Sequence, residues 1–335
     1  MAIKTSRTLA AMCRRVVGIS SLFSSFFNDM RAVSFALIAG FLAIVASCSV
    51  QPSSMEPTEM GDIDFVGISV SPLHFEAGTR AGLDLGQNID FYWEAKDTVG
   101  IFPNVGSQAF FDMFSNAGTN HAEFTGGGWA LKGSGEYQYS AYFPYEFNTH
   151  SRSRITCSFL GQEQTGNNDY DHLSNYQYLA SGAIAPSDGA LNFQLLRMEA
   201  VLMFRLKMPA SKEYARLRIS LRDNSPIVIE ETVDISGDAP VITPKKEVPY
   251  VDLMLTSVFT AGPNEYITLF MMLPPQNFFG KKLLISIETT DGDTCWGLVD
   301  GKDMEINEGY MYEAEMESDF GSLMEKFEGV EGHWN

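Results

Sequence analysis

The chain has 335 residues, with 23 Lys and Arg against 42 Asp and Glu, a net charge of −19, and 45% hydrophobic residues. So acidic a balance, with no Lys/Arg cluster in the body of the chain to release counterions, disfavours binding to nucleic acid or to anionic headgroups. The length exceeds one ordinary sandwich domain and is ample for two, each with its own core.

Residues 1–29 carry Arg14, Arg15 and an apolar patch over 16–27, a poor fit to a leader that already has its own apolar run further on; Met30 makes a better start. From there Arg31 precedes an apolar run, Ala32 to Val45, long enough for the core of a signal peptide and shorter than a spanning helix needs. Val45-Ala46-Ser47-Cys48 closes that run with small residues and a cysteine. This is the pattern of a bacterial lipoprotein signal, so residues 1–47 are expected to be removed and Cys48 to carry acyl chains, palmitate among them, as a membrane anchor. The competing reading is an ordinary A-x-A cleavage site with an incidental cysteine. Removal takes away five basic residues and one acid, leaving 18 basic against 41 acidic residues in a mature chain of 288.

Residues 48–61, with Pro52, Pro57 and several Ser, Thr and Glu, have the composition of a flexible tether. From Asp62 onward short β-branched and aromatic runs recur between Gly, Asn, Asp and Pro clusters. In the first half they cover 63–70, 89–93, 99–102, 109–114, 122–124, 137–142 and 154–160. In the second half they cover 191–206, 215–221, 227–235, 251–258, 266–273, 283–289, 296–299 and 310–316. Thr289-Thr290-Asp291-Gly292-Asp293-Thr294 reads as a hairpin, its Asp-Gly suited to a I′ turn.

No helical pattern long enough for βαβ units intervenes, so the fold class is all-β, as two tandem sandwiches over 62–187 and 188–318. The linker-like 183–189 places the boundary, with Pro209 as the alternative. Met198–Phe204 suits a strand buried on both faces, a short helix being the other reading. Residues 319–335 form an acidic tail for which a short helix, disorder or a donor strand all remain open.

Five stretches resemble the fimbrillin family of Gram-negative surface lipoproteins, the Mfa-like major fimbrial subunits. They are Glu76-Ala77-Gly78-Thr79-Arg80-Ala81; Trp93-Glu94-Ala95-Lys96-Asp97-Thr98-Val99-Gly100-Ile101-Phe102, with Lys96 where the family has Gly; Tyr139-Ser140-Ala141-Tyr142-Phe143-Pro144-Tyr145; Phe193-Gln194-Leu195-Leu196-Arg197-Met198-Glu199-Ala200; and Asn307-Glu308-Gly309-Tyr310-Met311-Tyr312. Each is short, but their order along the chain is that of the family. The resemblance implies two transthyretin-like Greek-key sandwiches and a stalk, anchor or tip subunit of outer-membrane fimbriae that support adhesion and biofilm formation. Implied partners are other fimbrial subunits or adhesion receptors. It further implies assembly by strand exchange after proteolytic processing at Arg80. Read physically, most of these aromatic positions are simply inward-facing core residues.

Catalytic patterns are lacking. His74, His121, His150, His172 and His333 are scattered, with no metal-ligand spacing, and no nucleophile elbow or phosphate-binding loop is present, so neither an enzyme, a cofactor nor a metal is expected. With Cys13 in the leader and Cys48 acylated, Cys157 and Cys295 remain, either as a disulfide or as two buried thiols. A second functional class stays open, a glycan-binding surface lipoprotein of a nutrient-uptake system, with Tyr170, Tyr176 and Tyr178 as stacking candidates.

Overall fold

The computed structural model describes residues 61–76, 91–126, 130–134 and 136–317, which all belong to one compact unit. The expected signal peptide, Cys48, Arg80 and the acidic tail lie outside the described residues. Strands dominate, as expected, and the only helical turn among the described residues is a 3₁₀ helix at Asp171–Tyr176.

Seven strands bond in an unbroken ring, β11(Leu179–Ile184), β12(Asn192–Arg197), β2(Phe65–Val70), β6(His121–Thr125), β5(Ala109–Ser115), β4(Thr98–Pro103) and β8(Tyr139–Phe143). The N-terminal body is thus a closed barrel where two separate layers were expected. Closure depends on β12, which lies parallel to β2 with Asn192 opposite Gly67 and Leu195 opposite Val70, while its other side meets β11 antiparallel. Inside, Trp93 is fully buried and meets Phe91, Phe124 and Phe143 edge-on at 4.7, 4.9 and 5.3 Å, the offset geometry that aromatic quadrupoles favour. Phe91 to Trp93, expected in a strand, runs instead as an extended segment held by Trp93 N bonding Thr119 O.

Because β12 completes the barrel, the chain crosses to the second body at Met198–Glu199, later than the expected 187/188 boundary and earlier than Pro209. The linker-like composition of 183–189 reflects a tight turn between two barrel strands, with Asp188 and Gly189 at positive φ and Ser187 bridged to Ala190. Beyond the crossing, β13(Ala200–Lys207) is a strand buried on both faces.

The second body is a sandwich. One sheet runs β18(Tyr266–Leu273), β13, β21(Glu308–Glu315), β3(His74–Glu76); the other runs β10(Gln162–Gln164), β17(Tyr250–Ala261), β14(Lys212–Leu221), β19(Lys282–Thr289), β20(Thr294–Asp300). Between them lie Leu202, Phe204, Leu217, Ile219, Leu253, Ile267, Ile285 and their neighbours. The β19–β20 hairpin forms where expected, but only Gly292 of its turn has positive φ, with Gly292 N bonding Thr289 O, so the turn is not of the I′ kind.

Strand sharing modifies the tandem arrangement. β3 and β10 leave the N-terminal half to pair parallel with β21 and β17. A third sheet joins β9(Ile155–Ser158) to the hairpin β15(Ile227–Asp234)–β16(Val241–Val248). A separate apolar core fills the junction, built from Phe102, Tyr142, Cys157, Phe159, Val201, Val233, Phe270, Met272 and others.

Candidate functional site

The segment from Asp62 to Glu76 is threaded through both bodies. β1(Asp62–Ile63) pairs with β7(Leu131–Lys132), where Lys132 Nζ meets Asp62 Oδ1 at 2.6 Å. β2 then runs between β12 and β6, turning Val66, Ile68 and Val70 into the barrel core and leaving Phe65 exposed. Alternating apolar residues place three side chains inside, and the β ladders on both flanks satisfy the backbone. At Gly67 an added Cβ would collide with the Asn192 carboxamide, so this position in the slot is filled from outside the strand. Past β2, Asn307 holds the chain: its Nδ2 donates to Pro72 O at 2.6 Å, its carbonyl accepts from His74 N at 3.4 Å, and its Oδ1 accepts from Arg197 N at 3.4 Å. It does so at a φ of 65°, a left-handed conformation that asparagine tolerates. β3 comes next, as the outermost strand of its sheet.

The motif residues are structural. Trp93, Ile101, Phe102, Tyr139, Tyr142, Phe193, Leu195, Tyr310 and Tyr312 are all buried. Tyr170, Tyr176 and Tyr178 are half-buried against the junction core; Tyr176 Oη bonds Gly161 O at 2.7 Å and Tyr178 Oη bonds Ser158 O at 3.0 Å. Tyr170 and Tyr178 also meet Phe270 and Phe159 at near-perpendicular ring angles, so these rings take part in packing the junction.

Cys157 and Cys295 are both free thiols, Cys157 in the junction core and Cys295 in the sandwich core. Burial raises both thiols, Cys157 well above the ordinary range and Cys295 to about 12. Asp291 and Asp293, read as turn residues, both engage Lys212 Nζ, at 3.3 and 3.1 Å. Among the described residues no group of His, Cys, Asp and Glu is arranged to hold a metal.

Two features escape the sequence reading. Gln162 and Gln164 are fully buried and turn their side-chain amides against the backbone of β18. At the junction, Glu199 and Glu231 are also fully buried. Burial raises Glu199 to about 7, with Arg197 acting against it, and raises Glu231 to about 8, with the neighbouring Glu199 adding to the effect. An unusual density of polar residues beside apolar runs was the only signal, and an acidic chain hides it.

No family model matches the chain, and no curated protein does. Among solved structures, similarity is found to a candidate cell adhesion protein from Bacteroides uniformis, 13% identical, covering 75% of this chain and 93% of that one at a TM-score of 0.48. The tip fimbrial protein Mfa3 from Porphyromonas gingivalis is 11% identical over 77% of this chain and 96% of its own, at 0.39. The fimbrial anchor protein Mfa2 from the same organism is 11% identical over 70% and 82%, at 0.34. These neighbours are adhesion candidates and fimbrial proteins.

Proposed function

We propose that this chain is a fimbrillin-like surface lipoprotein, a stalk, anchor or tip subunit of fimbriae that assembles by strand exchange and supports adhesion and biofilm formation. The observation that carries the reading is the seat of β2. It is the leading strand of the barrel, lies upstream of Arg80, and is paired on both sides. Cleavage after Arg80 would leave residues 62–76 held by hydrogen bonds, the Asp62–Lys132 ion pair and the buried side chains of Ile63, Val66, Ile68 and Val70. Their departure would open a slot walled by β12 and β6, into which a neighbour's strand with matching alternate apolar residues fits by main-chain pairing. The carboxamide of Asn192 over Gly67 asks for a small residue at the third position of that strand.

On this reading Cys48 carries the lipid that holds the protein at the outer membrane, and the partners are other fimbrial subunits or adhesion receptors. The acidic charge argues against nucleic acid as a partner. The test is the N-terminus of protein recovered from cells, together with ladders on unboiled gels. An N-terminus at Ala81 and ladders lost in Arg80→Ala are expected; lipidated Cys48 retained on every molecule would overturn the processing step. Cys48→Ser is expected to move the protein out of the membrane fraction, and unchanged partitioning would remove the anchor.

A further inference from the structure

Glu199 sits in the crossing between the two bodies, one residue before β13 begins. Its Oε2 accepts from Tyr178 N at 3.2 Å, and its Oε1 has no hydrogen-bond partner. Glu231 projects from β15 into the junction, directly across the ladder from Cys157 on β9; the Cys157 thiol is the hydrogen-bonding group beside its carboxyl, and no nitrogen or oxygen donor reaches it. Both residues have zero exposure, and the core that fills the junction is apolar: Met198 from the crossing, Val201 from β13, Cys157 from β9, Val233 from β15, Tyr142 and Ala180 from the barrel.

The charged and titratable groups that act on the pair are few. From the end of β12, Arg197 opposes the rise of Glu199; from β9, Cys157 faces Glu231; Glu146, in the loop after β8, acts on Cys157; and Tyr178 leads into β11. One cation thus stands against two buried carboxyls. A carboxylate with so few donors in an apolar core is among the most unfavourable groups a protein can hold, so it keeps its proton or forces water in.

We infer that Glu199 and Glu231 form a proton-operated latch: protonated, they let the barrel and the sandwich close on one another over the junction core, and ionised, they part that junction locally while each body keeps its own core. The raised values of about 7 and about 8 place the transition in the neutral to mildly alkaline range. The latch does not depend on strand exchange or on the lipid anchor.

The molecule carries its own reporter. Cys157 lies in the junction and Cys295 in the sandwich core, both free and both buried, so the ratio of their alkylation rates tracks junction opening. The general rise of thiolate with pH enters both rates. Site-resolved mass spectrometry after N-ethylmaleimide labelling of the full chain between pH 6 and pH 9 is expected to show the Cys157 to Cys295 ratio rising at least about tenfold. Glu231→Gln and Glu199→Gln, which replace an uncharged acid by an uncharged amide, should each flatten that rise. A ratio independent of pH, or an equal rise in both variants, would overturn the latch. So would failure of both variants to fold at pH 6, because the latch requires the uncharged form to be the one that fits.

Discussion

Gln162 stands opposite Met272 as a side chain imitating a strand. Its Oε1 accepts from Met272 N at 2.7 Å and its Nε2 donates to Met272 O at 2.6 Å. Gln164 repeats the contact two residues on, accepting from Phe270 N at 2.8 Å and donating to Thr268 O at 3.1 Å. β18 is the outer strand of its sheet, and these amides occupy the bonds another chain would otherwise take. Substituting both by Leu leaves Met272 N, Met272 O and Phe270 N, three buried backbone groups, without these partners, while Thr268 O keeps the bond from Asn168 N at 3.0 Å. At roughly 1–3 kcal/mol for each such group, a loss of about 3–6 kcal/mol is expected, a large share of a typical domain's stability. The urea midpoint of the double variant measures it, and a midpoint near wild type would make the amides bystanders.

Asn307 joins the N-terminal segment to the last strand. Asn307→Ala loses the bonds to Pro72 O and Arg197 N and also forces alanine into a left-handed backbone, so about 2–3 kcal/mol of destabilisation is expected. Asn307→Gly keeps the backbone at ease and should recover part of it. Equal melting temperatures for the two variants would show that the backbone conformation contributes nothing.

Stability should fall as pH rises from about 5 to about 8. Glu199 and Glu231 are raised in the folded chain relative to the ordinary glutamate value, so the folded state binds more protons than the unfolded one throughout that window. The stabilisation is therefore complete only at the acidic end and is lost through about pH 7 to 8, by a few kcal/mol at the alkaline side. Urea midpoints at pH 5.5 and pH 8 test this, with Glu231→Gln expected to reduce the difference. A higher midpoint at pH 8 in wild type would contradict it.

Gly182 on β11 lies against the backbone of Asp238, and a Cβ there would collide with main-chain atoms, which cannot rotate aside. Gly182→Ala should therefore destabilise by about 1–3 kcal/mol. It should also weaken the nearby bond from Ala183 N to Gly237 O, 2.7 Å long, visible as faster amide exchange at Ala183 than in wild type. Unchanged exchange would show that the turn at 237 accommodates the methyl group.

The strands that alternate or run apolar were legible, β2, β4, β5, β6, β14, β15, β18 and β19 among them, because burial on a pleated face writes a period of two. β10 was not, since Gln-Glu-Gln looks like a loop until its amides are seen to bond a neighbouring strand. β16 was missed for the opposite reason: Val-Ile-Thr-Pro-Lys-Lys-Glu-Val is almost wholly exposed, and Pro and Lys there suit an edge that must not recruit another strand. The run 191–206 read as one strand, whereas the two strands it contains belong to different bodies, and no local pattern marks the crossing at Glu199. Pairing partners decide closure of the barrel, and a single sequence does not carry them. Of the candidate site, Val66, Ile68 and Val70 were visible as a strand, but their seat between β12 and β6 was not.

The pairing of β3 with β21 sets His74 opposite Glu308, so one of the first folded segments to be synthesised rests on one of the last. Sequence separations of this size make the closing step slow, since a long loop must be ordered before its contacts form. A ribosome-bound chain lacking its final thirty residues has no place to put β3. The native state of such a chain becomes available only after release, as a single late event that joins beginning to end.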